Sequence, residues 1–161
     1  MLELPRLPSW DGLHPLIVHF PIALLLVAPL FVVLGMTLRR NRPFLWAALL
    51  LMAIGTAATF VAVSTGEAAG RLADRTPEIK AVLEHHEKLA ETTRVVFTVL
   101  TVIFAAIVVV PAAVRRLQTR RVTVALSLAF LVCYGAGVLL LVNTAHNGGR
   151  LVHELGVQAL V

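Results

Sequence analysis

The sequence predicts an all-α fold: an integral membrane four-helix bundle with both termini outside. Three observations carry that expectation. Of the 161 residues, 58% are hydrophobic and only 14% are charged, against about 25% charged in a soluble domain. Four runs lack Asp, Glu, Lys and Arg altogether, at residues 16–38, 44–66, 95–114 and 122–142. A helix of about 20 residues, rising about 1.5 Å per residue, crosses the roughly 30 Å hydrocarbon core of a bilayer, so each run is long enough to span. The third observation is the distribution of charge. Arg39, Arg40 and Arg42 follow the first run, and Arg115, Arg116, Arg120 and Arg121 follow the third, with no acid in either loop. All nine acids lie in the other segments. This positive-inside asymmetry places loops 1–2 and 3–4 in the cytoplasm. The net charge of +5 is thereby read as orientation, and nucleic acid is not an expected partner.

Taken in order, the helices are expected at about residues 15–38, 44–66, 77–114 and 122–146 of a single domain covering 1–161. Helix 1 is preceded by "MLELPRLPSWDGL", which carries Glu3 and Asp11 and lacks a basic n-region. The run is too long for a signal-peptide core and no A-x-A site closes it, so it is expected to stay as a span. Pro15 suits a first helical turn, whereas Pro21 is placed to break one. Trp10 and Trp46 flank opposite ends of the first hairpin, as interfacial anchors do.

Helix 2 has a stripe of small residues, with Gly55, Ala58, Thr59, Ala62 and Gly66 in line with Ala48. Two readings stay open: close packing of the small-xxx-small kind, or room for a flat macrocycle beside the helix. Helix 3 opens with Thr76 as N-cap and Pro77 at N1. No breaker follows before Pro111, so the helix is expected to project beyond the bilayer. Ile79, Val82, Leu83, His86, Leu89, Ala90, Thr93 and Phe97 recur at three- and four-residue steps, which turns His86 into the bundle and His85 away from it. Glu84 and Lys88 are expected to form a solvated i, i+4 pair. In helix 4, Asn147-Gly148-Gly149 reads as the helix end, because Asn and Gly tolerate positive φ. Cys133, the only cysteine, lies inside the fourth run and is expected to be a small packing residue. No intramolecular disulfide and no C-x-x-C-H haem attachment is available to it.

Topology sorts the six histidines onto one side. His14 and His19 open helix 1, His85 and His86 precede the apolar part of helix 3, and His146 and His153 follow that of helix 4. Imidazoles on facing transmembrane helices are a common way to hold haem b, and histidine is the commonest ligand of zinc and copper. His14 and His19 are five residues apart, about 140° round an unbroken helix, so they address different partners unless Pro21 breaks the turn. Other chemistries fail on inspection. "HHEKLAE" has Ala90 where H-E-x-x-H needs its second histidine. There is no G-x-x-x-x-G-K-[ST] and no G-x-S-x-G. The runs hold no Asp or Glu, which weighs against a proton-driven transporter.

"HPLIVHFPIAL" and "HNGGRLVHELGV" resemble a bacterial membrane family, domain of unknown function 2231. Its members open with H-P-x-x-V-H-F-P-I, have "TG" at the end of helix 2 and a histidine before helix 3, and close with G-G-x-L-V-Y-x-H-G-V. Thr65 and Gly66 match the second element and His86 the third. His153 stands where the family has Tyr, and Leu155 where it often has His, a departure that sets the terminal segment apart from a ligand role. The resemblance implies four helices, and relatives joined to Rieske or cytochrome c modules imply membrane electron transfer.

The expectation drawn from these readings is a multi-pass protein of the bacterial inner membrane. It would transfer electrons near the outer face through noncovalent haem b, as an electron carrier or redox subunit more than a stand-alone enzyme. Its ligands would come from His14, His19, His86 and His146. The alternatives are copper or zinc on the same histidines, or a cofactor-free anchor of a partner complex. The expected partners are the lipid bilayer and a periplasmic or membrane redox protein of cytochrome c or Rieske type, with a homo-oligomer left open. The orientation has a direct test. Alkaline phosphatase fused after Val161 should be active, and a fusion within residues 115–121 should be inactive. The reverse pattern would put every histidine in the cytoplasm.

Overall fold

A computed structural model describes residues 8–38, 41–73, 76–113 and 119–157. Arg39, Arg40, Arg115 and Arg116, together with Glu3 and the expected last residue of helix 3, Val114, lie outside them. The described residues are helical with no strand. α1 (His14–Ile17) and α2 (His19–Thr37) form the first span; α3 (Asn41–Gly70), α4 (Pro77–Ala113) and α5 (Arg120–His153) form the other three. All four spans are long and apolar enough to cross a membrane. Large apolar side chains cover the outside, with Val132 74%, Leu139 73% and Phe20 66% exposed. That is the surface a hydrocarbon solvent permits and water does not. Trp10 and Trp46 are exposed near opposite ends of the first hairpin, as expected of anchors.

Prolines shape the first span. Pro21 has no N–H to give the Ile17 carbonyl, which interrupts the hydrogen-bond ladder at Val18 and separates α1 from α2. Val18 keeps right-handed helical angles, so the chain continues in nearly the same direction. Pro29, inside α2, likewise leaves the Leu25 carbonyl without its partner. The Tyr134 hydroxyl of α5 donates to that carbonyl at 2.7 Å. An orphan carbonyl in a dry core costs roughly 1–3 kcal/mol, so the proline on one span and the tyrosine on another complete each other. Tyr134 also stands edge-on to Phe97, 5.4 Å between centroids, and leads through Phe130 to Phe104. These rings, with Leu25, Val32 and Met52, make the core.

Glycines and hydroxyls set the helix separations. A Cβ at Gly55 would meet Leu25 Cγ at 2.9 Å, and one at Gly137 would meet Leu100 Cδ1 at 2.9 Å. Each hairpin therefore closes over a glycine. The small stripe of α3 proves to do two things: Ala48 and Gly55 pack closely, whereas Thr59, Ala62 and Gly66 line a cavity. Between the hairpins, the Thr56 and Thr101 hydroxyls lie 2.8 Å apart. At one end of the bundle Arg120 donates to the Thr37 carbonyl at 3.2 Å, satisfying the C-terminus of α2.

Four local expectations are corrected. α5 runs through Asn147-Gly148-Gly149 to His153, so the fourth helix does not end near residue 146. Asn147 donates to the Asn143 carbonyl at 2.9 Å, and Gly148 is small because a side chain from α4 lies against it. The chain turns instead at Gly156, φ +66°, where Val157 N–H reaches back to the Leu151 carbonyl at 2.9 Å. α3 continues about one turn past residue 66, to Gly70. Glu84 pairs with Lys80 at 3.7 Å rather than with Lys88. Cys133 faces outward, not into the packing. The start of α4 is as expected: Ile79 N–H donates to Thr76 Oγ1 at 3.3 Å.

The proline–tyrosine pairing can be measured. Tyr134→Phe should destabilise the protein by about 1–3 kcal/mol, read as a lower thermal midpoint in detergent. In a Pro29→Ala background the restored N–H of residue 29 satisfies Leu25, and the same change should cost much less. Equal costs in both backgrounds would show that the hydroxyl is not serving that carbonyl.

Candidate functional site

The end of the bundle where α1 begins, α3 ends, α4 begins and α5 ends holds a partly open cavity of about 760 Å³. That is within the roughly 300–1,000 Å³ usual for small-molecule and cofactor sites. The lining is largely apolar, and four of the six histidines contribute to it: His14, His19, His86 and His153.

Two of them are fixed in the same way. His14 places Nδ1 at 2.9 Å from the Ala62 carbonyl oxygen, and His86 places Nδ1 at 3.1 Å from that of Thr144. A carbonyl only accepts, so each ring carries its proton on Nδ1 and donates it. Each Nε2 is left with a lone pair. This is how metal-binding imidazoles are commonly held, with the second ring nitrogen tied to a carbonyl that fixes tautomer and orientation.

Glycine makes the approach possible. Gly66 follows Ala62 by one helical turn, and a Cβ there would stand 2.8 Å from His14 Cε1. Gly148 follows Thr144 by one turn, and a Cβ there would stand 3.0 Å from His86 Cε1. In both helices the residue stacked over the accepting carbonyl has no side chain, so an imidazole from the neighbouring helix can reach the oxygen's second lone pair. The same device occurs once in each hairpin: a histidine at the start of one span, and a carbonyl plus glycine near the end of the next. A buried polar residue precedes each glycine, Thr65 in one hairpin and Asn147 in the other. Below His86, the Thr93 and Thr144 hydroxyls pair at 2.8 Å, and that of Thr144 lies 2.9 Å from the Leu140 carbonyl.

The remaining candidates separate. His19 lines the cavity but is exposed, and its ring makes no hydrogen bond among the described residues. His146 is exposed and is not among the cavity's lining residues. Its helical phase explains this, because Thr144, Asn147 and Leu151 take the buried face of α5. His153, set aside on sequence grounds, does line the cavity, because α5 continues past its expected end. His85 is exposed and His86 turned inward, as the α4 periodicity predicts. Among the described residues, no group of three His, Cys, Asp or Glu side chains is placed to hold a metal ion. Sequence reasoning missed Gly148 and the two carbonyls. The available signal was the parallel between Thr65-Gly66 and Asn147-Gly148, each a polar residue and a glycine near the end of an even-numbered span.

Adjacent glycines give a test of this packing. Gly148→Ala should force His86 aside and destabilise the protein by about 1–3 kcal/mol. Gly149→Ala meets nothing within 4 Å and should be neutral or stabilising by up to about 1 kcal/mol. Thermal melting of the two variants in one detergent distinguishes them.

No curated protein and no solved structure matches the chain. A family model does, that of the predicted membrane protein family DUF2231, over residues 11–160. That match takes in all four spans and both histidine–glycine pairs, and the chain therefore belongs to the DUF2231 family of predicted membrane proteins.

Proposed function

We propose that this chain is a membrane haem b protein that carries electrons, with His14 and His86 as the residues that would hold the haem iron. The observation that supports it is the matched preparation of two imidazoles: each is locked through Nδ1–H, and each belongs to one cavity between the hairpins. The residues fit the group. Two neutral imidazoles would supply nitrogen donors to a haem iron. The cavity is large enough and mostly apolar, and glycines stand behind both rings. Two prepared donors fall short of the three or four protein ligands that zinc takes, which favours haem over a bare zinc site. A bound haem would supply one-electron chemistry at iron. The protein's own residues would hold the imidazoles in place and keep much of the cavity apolar.

The positive-inside rule supports an orientation with the histidine end on the outer side of a bacterial plasma membrane. A periplasmic or membrane redox protein would then be the electron partner. His19 and His153 lie at this end without being held as His14 and His86 are.

Spectra of the purified protein test the reading. A noncovalent haem held by two imidazoles should give a Soret band and a sharp α band on reduction. Acid acetone should extract the pigment, since Cys133 alone cannot make two thioether bonds. His14→Ala and His86→Ala should each leave five-coordinate, high-spin iron or no haem. His85→Ala and His146→Ala should leave the spectrum intact. A colourless protein that refuses added hemin would overturn the haem reading, and metal analysis of that sample would then decide between copper and no cofactor.

A further inference from the structure

The two histidine devices are alike in their carbonyl and glycine, but they differ in one contact. Besides Ala62, His14 Nδ1 has Thr65 Oγ1 at 3.2 Å. The roles in this contact follow from its neighbours. The Ala62 carbonyl requires the imidazole proton on Nδ1, so Thr65 cannot donate there. The threonine's own proton has acceptors along its helix, the Val61 carbonyl at 2.9 Å and that of Ala62 at 3.1 Å. A lone pair of Thr65 Oγ1 therefore faces the Nδ1–H of His14, and that proton is shared between two acceptors. Thr65 is fully buried, so water does not compete for the hydroxyl.

The corresponding residue in the second hairpin behaves otherwise. Asn147, also one residue before the glycine, turns its Nδ2 back to the Asn143 carbonyl and side chain, at 2.9 and 3.1 Å. Thr65 thus hydrogen-bonds the histidine of its own hairpin, whereas Asn147 hydrogen-bonds its own helix.

We propose that Thr65 is a positioning residue for His14, the second acceptor that holds its Nδ1 proton and aims its Nε2, with no equivalent at His86. Its use toward haem rests on the reading above; its hold on the imidazole does not. A ligating imidazole whose N–H is more fully engaged is more basic at its other nitrogen. The site therefore has two unequal donors, His14 the firmer.

The test uses the full chain in detergent with 15N-labelled histidine, and reads solvent exchange of the Nδ1-bound protons. Both rings should carry their proton on Nδ1. Thr65→Val, which keeps the shape and removes the hydroxyl, should speed exchange at His14 by about three- to tenfold, the worth of one hydrogen bond, and leave His86 unchanged. Thr65→Ser should restore the wild-type rate. Thr92→Val, which removes an exposed hydroxyl back-bonded to Lys88, should alter neither ring. In hemin titrations Thr65→Val should bind about tenfold more weakly than wild type, again with rescue by serine. Unchanged exchange at His14 in Thr65→Val, a loss that serine does not restore, or a His14 protonated on Nε2 would overturn the proposal. A wild-type protein that takes no hemin would refute the haem reading, and the exchange rates would still decide the role of Thr65.

Discussion

A backbone carbonyl in hydrocarbon has no water to turn to, and in this bundle side chains reach backbone carbonyls of other spans at three depths. Where Pro29 removes the N–H that Leu25 needs, a tyrosine three spans further along the chain supplies a hydroxyl. Where α2 ends, Arg120 reaches its last carbonyls. Where glycine uncovers a carbonyl that is already bonded within its helix, an imidazole takes the second lone pair. The first two contacts tie α2 to α5, the first and last spans. The third produces the site. Packing and chemistry here draw on the same property of the helix, a carbonyl with one more acceptor position than the helix uses.

The aromatic column explains why the cavity is confined to one end. Phe97, Phe104, Phe130 and Tyr134 fill the middle of the bundle with large rings. Gly55 and Gly137 bring each hairpin tightly together beside them. Toward the histidine end the inward residues become Thr59, Ala62, Gly66, Thr144 and Gly148, which have little volume. Four helices held apart by rings in the middle and lined by small residues beyond them cannot close. The space that remains is the one into which the two imidazoles are set.

How far the sequence could be read follows the range of the interactions involved. The four spans, the Thr76 cap, the inward phase of His86 and the outward phase of His85 depend on periodicity and local chemistry, and all agree with the structure. The end of α5 was misread because Asn147-Gly148-Gly149 carries the composition of a helix C-cap. Its small residues serve a contact with α4, 62 positions away in the case of His86 and Gly148, and no local pattern records that. The same composition makes His146 look terminal, whereas His153 is set apart by its departure from the family's closing motif, which gives no hint that it lines the cavity. Glu84 had lysines four residues away on both sides, and spacing alone could not choose between them.

By itself the sequence determined that this protein is four membrane-length helices, with its histidines gathered at one end of the bundle. Solvent preference and helical pitch act along the chain and need no partner. Only the tertiary structure decided which histidines are held. The acceptors are backbone carbonyls of Ala62 and Thr144, identical in chemistry to every other carbonyl in the chain. What distinguishes them is a missing side chain one turn later and a ring arriving from another helix, and both conditions exist only after the helices have packed.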